Sequence, residues 1–255
     1  MRIALGIEYV GTAFCGWQTQ HHARTVQNCL ETALSKVADH PISTFCAGRT
    51  DTGVHALGQV IHFETAVDRN LKAWTLGTNY YLPKDISVLW VKIVDEQFHA
   101  RFSALQRHYN YLIINRPTRP AVLRELATWE YRPLAVAQMQ MGAHYLIGTH
   151  DFTSYRSTAC QAPNPVRTLT KISVSRRGEN LIISVSANAF LHHMVRNIAG
   201  VLMAIGRGEH SPEWALEVLK ARDRTVGGMT APAAGLYLMG VDYPNFSSLS
   251  DPPPW

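Results

Sequence analysis

Asp51 is the first candidate for a catalytic carboxylate. It stands in Ala47-Gly48-Arg49-Thr50-Asp51-Thr52-Gly53, where the glycines at 48 and 53 permit tight turns and close approach of a ligand backbone. The competing reading is a turn, because Asp before Thr-Gly is a common turn former. Arg196 is the second candidate. His192 and His193 precede it by four and three residues, so the three share a face of a helix expected to begin near Phe190. That helix carries an apolar stripe of Phe190, Leu191, Met194, Val195, Ile198, Leu202 and Ile205, ending near Gly206. A basic cluster on it is either a satisfied structural network or a site. Neighbouring histidines on a helix point about 100 degrees apart and no HExxH accompanies them, so metal binding is not expected. Tyr109 is the third candidate. Arg107, Tyr109 and Tyr111 fall on one face of a strand, where aromatic and arginine side chains can stack bases and hold phosphates. The alternative is that both tyrosines are core residues with satisfied hydroxyls.

Other chemistries lack their markers. There is no GxGxxG after the first strand, no GxxxxGK[ST] and no GxSxG, which removes the usual signatures of nicotinamide binding, P-loop nucleotide hydrolysis and α/β-hydrolase action. The cysteines at 15, 29, 46 and 160 include no CxxC pair, so neither structural zinc nor a disulfide framework is expected, and Cys29 reads as a small core residue. Lys and Arg number 24 against 19 Asp and Glu, a formal charge of +5, but the distribution says more than the sum. No acidic residue occurs from Gln97 to Arg124 or from Phe152 to Gly178, and both stretches are rich in arginine. They would either line a groove that attracts phosphates or form an ordinary solvated surface. The N-terminus resembles neither a signal peptide nor an anchor, and no run reaches the roughly 20 apolar residues of a membrane helix. The chain is expected to be cytoplasmic.

The elements that must position these residues repeat twice. Ile3, Leu5, Ile7 and Tyr9 alternate as in a strand, and Val26 to Val37 has helical spacing with Thr25 placed to cap. Strands follow at 42–46 and 59–64, a helix at 70–81 stopping before Pro83, and a strand at 86–94. In the second half a strand at 107–114 precedes a helix from Pro133 to about Leu146, then a long loop over 148–165. A hairpin joins 166–175 to 180–186, the apolar helix follows, Ser211-Pro212-Glu213 opens another, and 236–241 closes as a strand. The pattern predicts an α+β fold. Two ferredoxin-like β-α-β-β-α-β halves would join in a mainly antiparallel sheet, with helices on one face and an RNA-binding cleft on the other. The expected divisions are 1–104, 105–245 and a proline-rich tail at 246–255.

Several blocks taken together resemble the tRNA pseudouridine synthase A family. They are Glu8-Tyr9-Val10-Gly11 with Phe14-Cys15-Gly16-Trp17-Gln18, AGRTDTGVHALGQV from Ala47, FHARFSALQRHYNYLI from Phe98, GTHDFTSYR from Gly148, FLHHMVRNIAGVL from Phe190, and APAAGLYLMGVDY from Ala231. They stand in the family's order and span nearly the whole chain. The resemblance implies isomerisation of uridine to pseudouridine at positions 38, 39 and 40 of the tRNA anticodon stem-loop. It also implies no cofactor, and a homodimer whose tRNA contacts both subunits. The family's aspartate falls on Asp51, its nearby arginine on Arg49, its active-site tyrosine on Tyr109, the basic partner of the aspartate on Arg196, and a pocket-lining residue on Leu236. Val54 and His55 would help shape the pocket, while Arg24, Arg107, Arg156, His192 and His193 would contact RNA. Val10, Thr19 and Thr52 depart from the family's usual Asp, Arg and Ala, which bears on RNA contacts and loop packing rather than on the reaction. A tRNA-binding protein of the same fold without activity is the competing function. It would share the basic stretches and aromatics but have no use for a carboxylate facing phosphates.

Overall fold

In a computed structural model, which describes residues 1–248, the alternation of Ile3, Leu5 and Ile7 becomes strand β1 (Arg2–Tyr9). Ile3, Ala4 and Leu5 are all fully buried, so both faces of β1 are covered. The chain divides into two units, one of Met1–Leu105 with the chain from Leu238, the other of Gln106–Tyr237.

In the first unit β1 runs antiparallel to both β3 (His55–Glu64) and β4 (Ile86–Val94), with Ile3 opposite Phe63 and Ile93. The short β2 (Phe45–Cys46) pairs antiparallel with His62 and Ile61 of β3. The order β4-β1-β3-β2, with helical connections after β1 and β3, is the ferredoxin-like arrangement the pattern predicts. Helix α1 (Val26–Ala38) begins where Thr25 Oγ1 accepts the Asn28 N–H at 3.3 Å and ends on Asp39 in the left-handed conformation. It buries Val26, Leu30, Ala33, Leu34 and Ala38, whereas Cys29, expected in the core, and Val37 are only half-buried. The helix expected at 70–81 is wound as a π-helix over Ala73–Gly77 before α2 (Thr78–Tyr81). Its Trp74 is fully buried, edge-on to Phe63 at 5.2 Å.

In the second unit β5 (Gln106–Asn115) runs antiparallel to β9 (Asn180–Ala187), which pairs with β8 (Val166–Arg177), and β8 pairs with β7 (Gly148–Asp151). β6 (Thr128–Glu130) lies parallel to β5. The α+β class with mostly antiparallel pairing therefore holds in both units. β7 lies in the stretch expected to be loop, because four residues are too few to show a period. Helix α3 (Val136–His144) starts after Pro133, and α5 (Trp214–Ala221) follows Ser211-Pro212.

Helix α4 (Met194–Gly206) corrects one expectation. It begins at Met194 rather than near Phe190, because His193 adopts a left-handed conformation with φ 62°. His192 and His193 therefore precede the helix and do not share its face with Arg196. Within α4 every residue except Arg196 is buried, as a helix apolar on all sides must be.

The last strand, β10 (Leu236–Tyr243), starts in the second unit and passes into the first, where it neighbours β3. β11 (Phe246–Ser247) pairs with Asp242 and Tyr243, and the Ser248 hydroxyl donates to the Gly58 carbonyl at 2.9 Å. The prolines at 252–254 lie outside the described residues. Among the described residues no helix is long and apolar enough to cross a membrane.

Candidate active site

Asp51 lies half-buried on the loop joining β2 to β3, and the main chain on both sides of it is fixed. The Trp17 N–H donates to the Thr50 carbonyl at 3.0 Å, and the Val54 N–H closes a turn onto the Asp51 carbonyl at 3.1 Å. Gly53 occupies that turn with φ 77°, a conformation glycine adopts without steric cost. The Tyr9 and Thr50 hydroxyls meet at 2.8 Å, and Gln59 Nε2 donates to the Gly48 carbonyl at 2.6 Å. Thus the end of β1, the 14–17 segment and β3 together set the loop. Asp51 is therefore a turn residue, as one of the two sequence readings has it.

Val54 and His55 are buried at the start of β3. The Gly11 N–H donates to His55 Nδ1 at 2.9 Å, so the neutral imidazole carries its proton on Nε2. Arg49 is exposed. Burial pushes the Cys46 thiol up to about 12, against the opposing pull of Arg49 first and then of Arg101. Arg24 forms a fork to Asp85, Nη1 to Oδ2 at 3.0 Å and Nη2 to Oδ1 at 3.1 Å, and its Cζ lies 4.2 Å above the Phe14 ring. Its charge is therefore already matched by a carboxylate within the unit.

In the second unit Arg107, Tyr109 and Tyr111 alternate along β5 and are all buried, as their spacing predicts. Tyr111 is a core residue with a satisfied hydroxyl: it donates to the Pro232 carbonyl at 2.8 Å and accepts from Thr128 Oγ1 at 2.5 Å. Tyr109 packs edge-on to Phe190, centroids 5.0 Å apart and planes at 81°. Arg107 Nη1 donates to the Asn188 carbonyl at 2.8 Å.

Arg196 is oriented through its own backbone register. Its Nε donates to the Ala231 carbonyl at 2.8 Å, while the Ala231 N–H donates to the Arg196 carbonyl at 3.2 Å. The 224–231 segment is itself tied to the next residue of α4. Asn197 Oδ1 accepts from Arg224 Nη2 at 3.1 Å and from Thr230 Oγ1 at 2.7 Å, and Asn197 Nδ2 donates to the Tyr155 carbonyl at 2.8 Å. One turn further on, a Cβ at Gly200 would fall 1.9 Å from the Met229 carbonyl oxygen. Gly200→Ala is accordingly expected to displace the 228–231 segment, lower stability by about 1–3 kcal/mol and mis-aim Arg196. Denaturant titration beside turnover measures both effects.

His192 is exposed and His193 half-buried, with ring centroids 4.0 Å apart. The His192 carbonyl accepts the Ser157 N–H at 2.8 Å, which brings the chain at Arg156 beside the entry to α4. Leu236 is buried at the first position of β10. Sequence reasoning singled out neither Ala231, Asn197 and Arg224 as the support of Arg196 nor Phe190 as the neighbour of Tyr109. Arg224 and Ala231 are distant in sequence from α4, as Phe190 is from Tyr109, and no spacing rule links them.

A family model described as tRNA pseudouridine synthase matches residues 6–103 and 143–244. The chain is 57% identical over 244 residues to a protein named tRNA pseudouridine synthase A from Pseudomonas aeruginosa, covering 95% of this chain and 86% of that one. A protein of the same name from Nitrosococcus oceani is 55% identical over 249 residues, covering 98% and 96%. Another from Alcanivorax borkumensis is 53% identical over 253 residues, covering 99% and 95%.

Proposed function

This chain belongs to the tRNA pseudouridine synthase family, and from that premise we propose that it isomerises uridine to pseudouridine at positions 38, 39 and 40 of the tRNA anticodon stem-loop, with Asp51 as its catalytic carboxylate and no cofactor. Family membership supports the reaction. The observation that carries the assignment to Asp51 is its presentation on a loop whose backbone is bonded on both sides.

The reaction breaks the N1–C1′ bond, forms C5–C1′, moves a proton from C5 to solvent or base and returns one to N1. Uridine and pseudouridine are isomers, so the stoichiometry requires no electron carrier or group donor. Asp51 serves either by attack at C1′, by removal of the 2′ proton, or by attack at uracil C6. All three routes require an ionised carboxylate. Arg196 is assigned to match the charge of that carboxylate and to aim it. The Ala231 carbonyl on Nε supports this assignment by fixing the plane of the guanidinium.

Tyr109 is assigned to stack on the target base and to assist proton transfer at C5 through its hydroxyl. Tyr109→Phe is expected to leave tRNA binding intact and to lower kcat by about 10²-fold. Single-turnover kinetics beside a binding titration test this, and a wild-type rate would remove the hydroxyl from the mechanism. Arg49 would hold the backbone as the nucleotide leaves its helix, a step costing a few kcal/mol that fixed phosphate contacts must offset. Val54, His55 and Leu236 would shape the pocket. Arg24, Arg107, Arg156, His192 and His193 would contact RNA, with any gain from Arg24 counted net of its pairing with Asp85. A cytoplasmic homodimer with tRNA held across both subunits completes the proposal.

A further inference from the structure

Phe102 is 75% exposed and Phe45 is 54% exposed, yet neither sits on a loose surface. The turn that carries Phe102 is closed at several points. The His99 N–H donates to Ser103 Oγ at 2.9 Å and the Ser103 N–H to the His99 carbonyl at 2.9 Å, while His99 Nδ1 accepts the N–H groups of Arg101 at 3.1 Å and Phe102 at 3.3 Å. The Phe102 ring rests on His99 with centroids 4.4 Å apart. Phe45 stacks on His62 at 5.1 Å and 19°, and lies 5.4 Å from His99. His62 and His99 in turn meet at 4.6 Å, and the Ala100 N–H donates to His62 Nδ1 at 3.1 Å. Two neutral imidazoles thus form a base on which two phenylalanine rings are displayed. Burial, followed by the neighbouring His99 and Arg2, holds the His62 value down to about 4, so that ring stays uncharged at neutral pH, and burial followed by Arg2 lowers His99 in the same direction.

The charge around the platform is positive. Arg101 lies over the Phe102 ring at 5.5 Å, and Arg49 and Arg101 both act electrostatically on Cys46, the residue after Phe45. The nearby Glu64 is engaged by Arg2. Flat aromatic faces held rigid and flanked by guanidinium groups suit an unpaired nucleobase and its phosphate better than an apolar protein partner, which would leave the arginines to be desolvated. β2 leads from Phe45 straight into the loop that carries Asp51.

We propose that Phe45, His99, Arg101 and Phe102 form a stacking subsite for an unpaired base of the RNA substrate, distinct from the subsite for the reacting uridine. The subsite rests on the function proposed above for its choice of RNA, but its test does not need turnover. Phe102→Ala and Phe45→Ala are each expected to weaken binding of unmodified tRNA about tenfold at fixed salt. Loss of activity should then appear in KM rather than kcat. Phe102→Trp, which keeps a flat face, should restore binding, whereas Phe102→Leu, which keeps only apolar bulk, should not. Arg101→Gln should reduce the slope of log affinity against log salt by about 0.7. Circular dichroism and thermal melting of each variant identify any that misfold. Unchanged affinity in folded Phe102→Ala and Phe45→Ala would overturn the proposal. So would rescue by Phe102→Leu, or a change of oligomeric state in the ultracentrifuge with tRNA affinity intact, which would mark the patch as a contact between protein chains. If the wild type bound tRNA with this aromatic dependence but made no pseudouridine, the function proposed above would fail and the stacking subsite would stand.

Discussion

Asp51→Asn is expected to lower kcat for pseudouridine formation by on the order of 10⁴-fold while leaving tRNA affinity and the melting temperature close to wild type. The amide matches the carboxylate in size but serves neither as nucleophile nor as base at neutral pH. The main chain around it is held by backbone bonds that the amide leaves in place, from the Trp17 N–H to the Thr50 carbonyl and from the Val54 N–H to the Asp51 carbonyl. Rapid-quench measurement at saturating tRNA reads kcat, and a thermal melt reads the fold. A variant that lost stability in proportion to activity would make Asp51 a turn residue and nothing more.

Arg196→Lys is expected to reduce kcat by about 10²–10³-fold, with stability nearly unchanged. Lysine keeps the positive charge and most of the stem, so a purely coulombic role would survive the change. It has no Nε–H to donate to the Ala231 carbonyl and no planar fork, so a role that depends on direction would not survive. Arg196 is also the one residue of α4 that is not buried, so the substitution leaves the packed faces of the helix alone. Comparing kcat with the midpoint of denaturant unfolding separates aiming from structure. Equal losses in both, or a Lys variant as active as wild type, would contradict the assignment.

How far these elements were legible in the sequence depended on the range of the forces that set them. Helix α1 was readable because its cap at Thr25 and its apolar stripe are both local. The shared face of Arg107, Tyr109 and Tyr111 followed from strand alternation alone. The start of α4 was misread because Phe190 and Leu191 continue its apolar spacing. Spacing registers burial but not the backbone turn at His193 that ends the helical path. β7 and β11 have four and two residues, too few to express a period, and exist through pairing with neighbouring strands. The same limit hid the support of Arg196, since Asn197, Arg224 and Ala231 meet only in three dimensions. It also hid the aromatic platform, in which Phe45, His62 and Phe102 come from separate elements. Asp51 itself was legible as a residue in a glycine-flanked loop. What the fold added was the set of bonds from the 9–17 segment that hold it in place.

The central claim is best tested by incubating the purified chain, with a chelator and no added cofactor, with unmodified tRNA carrying uridines at 38, 39 and 40, beside Asp51→Asn, and mapping pseudouridine by mass spectrometry. Modification at those positions by the wild type and not by the variant is the predicted result. Tight tRNA binding by a folded wild-type chain that leaves every uridine unchanged would contradict it and favour a binding protein of the same fold.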